Sequence, residues 1–193
     1  MTQAMNHNEA AVRGLFKGIG TAKPMLDSEY IKPGRYLVRI DKTKFFQNRK
    51  KINRFGVEMT VVHVIDDAAG QGHRLGNSVT YIFRPESDYF QGEMKAFISC
   101  VLGIPHESIS EDDITEAGVE MFVKDEKILT GSVLEFTART IVTTKDNDFT
   151  RVAFNRLLTA KEAIATLPEA IRTAFFPNQY LERRAEAEAA AAA

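Results

Sequence analysis

Pro33–Ile65 reads PGRYLVRIDKTKFFQNRKKINRFGVEMTVVHVI, and its two ends carry the fold. After the turn signal Pro33-Gly34, Tyr36, Val38 and Ile40 alternate with Leu37, Arg39 and Asp41, the two-residue period of a β-strand. The alternation resumes at Phe55, where Val57, Met59, Val61, His63 and Ile65 follow on one face and Glu58, Thr60, Val62 and Val64 lie between them. Between the two strands, Lys42 to Arg54 is polar and basic and is expected to be a loop.

Downstream, Asp66 to Gly72 turns the chain into a third strand, Ser78–Phe83, with Val79, Tyr81 and Phe83 on one face. The period then changes. Phe90, Met94, Phe97, Ile98 and Val101 fall at helical spacing, with Ser87 or Asp88 as N-cap and Gly103-Ile104-Pro105 as the stop. A short acidic helix is expected over 112–123, then a hairpin of strands 132–142 and 149–158 around Lys145-Asp146-Asn147-Asp148. This order predicts a mainly β fold, a five-stranded Greek-key barrel of the OB type, with the helix between strands three and four plugging its open end. The expected organisation is a flexible N-terminal arm (1–27), the barrel domain (28–158), a C-terminal helix interrupted at Pro168 (159–180) and a disordered Ala/Glu-rich tail (181–193).

The chain has 193 residues, 44% of them hydrophobic, enough for one well-buried domain with extra elements. Its net charge of -1, from 25 basic and 26 acidic residues, conceals strong segregation. From Lys32 to Arg54 there are nine basic residues (Lys32, Arg35, Arg39, Lys42, Lys44, Arg49, Lys50, Lys51, Arg54) and one acid, Asp41. From Glu107 to Glu126 there are eight acids and one base, Lys124. A local excess of this size attracts phosphates, while the acidic block keeps the rest of the surface from binding them indiscriminately.

The basic segment also carries Phe45 and Phe46. Single-strand binding needs cations that follow the backbone and aromatic faces on which bases stack, and this segment supplies both. Lys42, Lys44, Arg49, Lys50, Lys51 and Arg54 are the candidate phosphate contacts, and Phe45 and Phe46 the candidate stacking rings. Arg39, Tyr81, Phe83, Arg84, Arg139, Lys145, Phe149 and Arg151 repeat the pairing of aromatic and cation elsewhere. Periodicity leaves open whether Phe45, Phe46, Tyr81 and Phe83 face solvent or the core, and nothing separates DNA from RNA.

Other chemistry has little support. A lone cysteine, Cys100, excludes an internal disulfide framework and thiolate-rich zinc sites; set in the plug helix, it is expected to be an inert buried thiol. His63, Asp66, Asp67 and His73 lack a metal-ligand spacing, and no metal or cofactor is expected. Gly18-Ile-Gly20 lacks the strand, helix and Gly-Lys-Ser/Thr ending of a phosphate loop, and no nucleophile elbow, metalloprotease helix or kinase motif occurs, so the expectation is a non-enzyme. No apolar run approaches a membrane span and the N-terminus lacks a signal-peptide core, which points to the cytoplasm.

Ile31-Lys32-Pro33-Gly34-Arg35-Tyr36-Leu37-Val38-Arg39-Ile40, the basic segment, Glu58-Met59-Thr60-Val61-Val62 and the later Lys95-Ala96-Phe97-Ile98-Ser99-Cys100-Val101-Leu102-Gly103 together resemble phage-encoded single-stranded DNA-binding proteins of OB fold. The resemblance spans about residues 30 to 158. It implies sequence-tolerant coating of single-stranded DNA in phage replication, recombination or repair, in the host cytoplasm and without a cofactor. Relatives often end in an acidic tail with a terminal aromatic that recruits replication or recombination proteins; this chain ends in alanines, and homo-oligomerisation stays open. The alternative is a virion or assembly component that uses the barrel for protein contacts, its acidic block meeting a neighbour's basic segment.

Overall fold

The computed structural model describes residues 31–67, 70, 72–142 and 148–192. Strand β1 (Gly34–Gln47) and strand β2 (Asn53–Asp66) are each 14 residues long, and β1 runs far beyond its alternating stretch. Strand β3 (Ser78–Phe83) follows, then helix α1 (Phe90–Leu102) and helix α2 (Glu111–Val119), which runs on as a wider π-helical turn over Glu120–Lys124. Strands β4 (Val133–Val142) and β5 (Asp148–Leu158) form the second hairpin. Three helices close the chain: α3 (Ala160–Thr166), α4 (Glu169–Phe175) and α5 (Tyr180–Ala191).

The five strands make one antiparallel sheet in the order β3-β2-β1-β4-β5. Among the described residues no ladder joins the two edges, so the sheet is not closed. It nevertheless curls until its edges touch: Tyr81 and Phe83 of β3 meet Phe154 of β5 with ring centroids 5.2 and 5.9 Å apart. Register shifts in the β1–β2 ladder, including one at Asp41 between Ile40 and Lys42, supply the local bends that such curling needs.

The concave face buries Tyr36, Val38, Ile40, Val57, Met59, Val61, Val79, Phe83, Leu134 and Phe136. Helix α1 fills it with Phe97 and Ile98, the residues its helical spacing aims inward. Gly103, at φ 66° in the left-handed region, ends α1, and the Ile104 N–H donates to the Ser99 carbonyl at 3.1 Å. Helix α2 starts with a reciprocal cap between Ser110 and Asp113. The π turn after it points Met121 and Phe122, neighbours in sequence, into the same core.

The convex face is covered too, which alternation did not anticipate. Leu37, Val62, Val133 and Leu158 point away from the first core and pack under Ala163, Leu167, Phe176 and Leu181 of the C-terminal helices. The signal was the unbroken runs Tyr36-Leu37-Val38 and Val61-Val62, which mark strands buried on both faces. In the C-terminal region the expected interruption at Pro168 is present, and the expected disordered tail is not. The segment around Pro168 is two helices, because proline cannot continue the first but can open the second. The expected disordered tail is the helix α5, with Leu181 fully buried, the Tyr180 hydroxyl donating to Thr130 O (2.8 Å) and Arg184 donating to Ser132 Oγ (2.7 Å). The expected N-terminal arm lies outside the described residues.

Candidate nucleic-acid interface

The basic segment is not a loop. β1 and β2 pair through to Gln47 and Asn53, leaving only residues 48–52 as the turn. Asn48 organises that turn: its side-chain oxygen accepts from the Lys50 and Ile52 N–H groups at 2.9 and 3.1 Å, while Lys51 takes a positive φ of 58°. Arg49, Lys50 and Lys51 are therefore presented, exposed, at the tip of a rigid two-stranded arm.

Pairing assigns each residue a side. Phe45 stands opposite Phe55 and Thr43 opposite Val57, on the concave face; Phe46 stands opposite Arg54 and Lys44 opposite Gly56, on the convex face. Phe45 thus extends the core: its ring lies 5.0 Å from Phe55, which in turn touches Phe90 and Phe122, although the rim leaves it 39% exposed. Phe46 points the other way. A Cβ built on Gly56 would lie 3.2 Å from the Phe46 ring, so the missing side chain lets the ring settle against the strand. The Lys44 ammonium sits 5.3 Å from the ring centroid. On β3 the register puts Thr80 and Ile82 on this same convex side, Ile82 being 41% exposed and directly opposite Gly56. Gly56 and Ile82 escaped the sequence reading; β1–β2–β3 register, not residue type, identifies them.

The cations divide into two classes. Arg35 pairs with Glu135, Arg39 with Asp41, Lys42 with Glu126 (3.6 Å), Lys44 with Glu58 and Arg54 with Glu86. Arg54, nearly buried, donates twice to Glu86, at 2.7 and 2.5 Å, and to its neighbour's carbonyl, which makes it a brace for the hairpin base. Arg39 likewise reaches the Phe175 carbonyl and ties the sheet to α4. Among the described residues, Arg49, Lys50, Lys51, Arg84, Arg139 and Arg151 have no acidic partner within salt-bridge distance and are exposed.

The remaining expected residues fall as follows. Phe83 is fully buried and Tyr81 half-buried on the concave face, so neither lies beside Phe46. Burial, then the nearby Glu93 carboxylate, pushes the Tyr81 hydroxyl well above its ordinary range, and it stays protonated. Arg139 and Arg151 stand opposite each other on β4 and β5. Lys145 lies outside the described residues, as does the Phe149 side chain. The Cys100 thiol is pushed up to about 12 by burial and then by Glu135, which suits an unreactive side chain.

Among the described residues, no three His, Cys, Asp or Glu side chains gather into a metal-binding group. The His73 Nε2 accepts from the Lys32 N–H (2.9 Å), and Asp67 accepts from the Gly72 N–H (2.9 Å). No described helix is long and apolar enough to cross a membrane. No protein-family model matches the chain, and no curated protein matches it.

Proposed function

We propose that this chain binds single-stranded DNA with little regard to sequence, as a barrel of the OB type whose β1–β2 hairpin is the capture arm. The strand order supports the fold assignment: β3-β2-β1-β4-β5 is the circular order of an OB barrel opened between β3 and β5, with α1 between strands three and four. The resemblance of residues 30 to 158 to phage single-stranded DNA-binding proteins points the same way.

The observation that carries the function is the half-buried Phe46 ring laid over Gly56 on the convex side of the β1–β2 arm, flanked by Lys44 and leading to Arg49, Lys50 and Lys51, which have no acidic partner among the described residues. The tip cations draw in the phosphodiester backbone; a base then stacks on Phe46, worth about 1–3 kcal/mol. Ile82, across the strand pair, gives the neighbouring base an apolar contact, and Arg84 holds the next phosphate. The protein works by binding alone, without cofactor or turnover, coating strands during replication, recombination or repair in the cytoplasm of a phage-infected cell.

Polarisation of labelled oligo-dT and of a duplex, titrated across salt, tests the function. Preference for the single strand is expected, with log affinity falling against log salt at a slope of about -2.8 for the four cations Arg49, Lys50, Lys51 and Arg84. Equal affinity for the duplex refutes it. An assembly role is the second reading, favoured by Val119, Val123 and Ile128, which stand exposed beside the acids of α2 and the π turn. Oligomers that dissociate at high salt, with no affinity for oligo-dT, would establish that role instead.

A further inference from the structure

The convex side of β1, β4 and β5 carries a second concentration of guanidinium groups, remote from the hairpin tip. Arg139 and Arg151 occupy directly opposed positions in the β4–β5 ladder. Like charges facing each other across a strand pair repel, and among the described residues no carboxylate lies between them. Beside them a groove of about 1010 Å³ is lined by Gly34, Arg35, Thr137, Arg139, Asn155 and Arg156, with Asp66 and Glu135 as its carboxylates.

Glu135 does not compete for a ligand. Its side chain is 4% exposed and wholly engaged: Arg35 donates through Nε and Nη2 (2.7 and 2.5 Å), Arg156 through Nε (3.1 Å) and Asn155 through its amide (3.2 Å). Burial would raise its pKa, but these hydrogen bonds outweigh burial and hold the carboxyl below its ordinary range. The two arginines it orients stay half-exposed, so the floor of the groove is a buried anion and its surface is donors. Arg156 is balanced further by Glu162 (2.9 Å), and Asp66 stands exposed at the rim. Among the described side chains, the uncompensated charge is the Arg139–Arg151 pair.

We propose that Arg139 and Arg151 form a phosphate clamp, a second anchoring point that takes a phosphodiester of the same single strand after it leaves the hairpin platform. This rests on the single-strand function proposed above. A phosphate placed between two guanidiniums accepts hydrogen bonds from both and offsets their mutual repulsion. The clamp lies at the opposite end of β1 from the platform: Gly34 pairs with Ala138, and Phe46 is twelve residues further along β1, a contour of roughly 40 Å. A short oligonucleotide therefore reaches only one of the two points.

The test compares Arg139→Ala/Arg151→Ala with the unmodified protein on oligo-dT of about 5 and about 15 nucleotides, within the span of site sizes that such barrels use. The expected result is a roughly tenfold loss of affinity for the long oligomer and a salt slope shallower by about 0.7, from the one phosphate the clamp neutralises. Affinity for the short oligomer stays the same, and the melting temperature stays or rises because the opposed charges are gone. Arg139→Lys/Arg151→Lys restores most of the slope. Equal losses on both lengths, or none on either, overturn the clamp while leaving single-strand binding intact. Absence of oligo-dT binding by the unmodified protein overturns both.

Discussion

Gly56 separates the stacking platform from the stability of the sheet that carries it. It lies in the interior of β2 with ordinary strand dihedrals, so a side chain there meets no backbone strain. Replacing a strand glycine with a residue that fits removes conformational freedom from the unfolded chain and stabilises by about 0.4–1 kcal/mol. The obstacle is the platform. The new Cβ of Gly56→Ala would lie 3.2 Å from the Phe46 ring and 3.4 Å from Lys44 Cε, where carbon contacts settle at about 3.5–4.0 Å. The ring edge then retreats by a few tenths of an ångström, and the branched side chain of Gly56→Val lifts it off the strand altogether. Losing one base stack costs about 1–3 kcal/mol, which is about 5- to 150-fold in affinity. The phosphate contacts are untouched, so the salt slope should not change. Polarisation of labelled oligo-dT at several salt concentrations, with thermal melting of the same samples, reads both quantities. Unchanged affinity in Gly56→Val, or a flattened slope, would refute the assignment of Phe46 as the stacking ring.

The two neighbouring phenylalanines should behave oppositely: Phe46→Ala weakens oligo-dT binding with little change in melting temperature, whereas Phe45→Ala, which removes the packing on Phe55, costs about 1–2 kcal/mol of stability in a denaturant titration and leaves the salt slope alone. Replacing Arg49, Lys50 and Lys51 together by alanine should make the salt slope shallower by about 2.1 without altering the melting temperature, since none has an acidic partner among the described residues. Glu135 has a lowered folded-state pKa, so its contribution to stability is present above the unfolded carboxylate pKa and is lost as pH falls through the folded value. Thermal melting across acidic pH should show that loss, and Glu135→Gln should be less stable at neutral pH with a flatter acid limb. Leu181→Ala should destabilise by about 2 kcal/mol in denaturant titration, because α5 caps the layer over Leu37, Val62 and Val133; an unchanged midpoint would mean the helix is not packed there.

Much of this arrangement is legible in the sequence. The five strands and the helix after β3 follow from hydrophobic periods that switch from 2 to 3.6, and Gly103 stops that helix where the sequence signal places the stop. The basic, aromatic character of residues 42–54 was equally plain. What misled was the polarity of the segment: its hydrophilic residues suggested a loop, yet both sides of the arm continue the ladder because Thr43, Phe45, Phe55 and Val57 keep the inward half of the alternation. Alternation put Val79, Tyr81 and Phe83 on one face of β3 but left open whether that face is the core; the packing on Phe97 and Phe154 decides it.

Composition and periodicity thus determined which residues could form strands, which helix plugs them and where positive charge gathers. They could not determine which cations are already neutralised, because partners such as Glu86, Glu126 and Glu135 lie far from Arg54, Lys42 and Arg35 in sequence and meet them only after folding. Nor could they separate Phe45 from Phe46. Adjacent strand residues point to opposite faces, but which face is covered depends on where the C-terminal helices and the π turn come to rest. Long-range packing set one ring against the core and the other on the opposite side of the arm, and left three of the segment's cations at its tip without an acidic partner among the described residues.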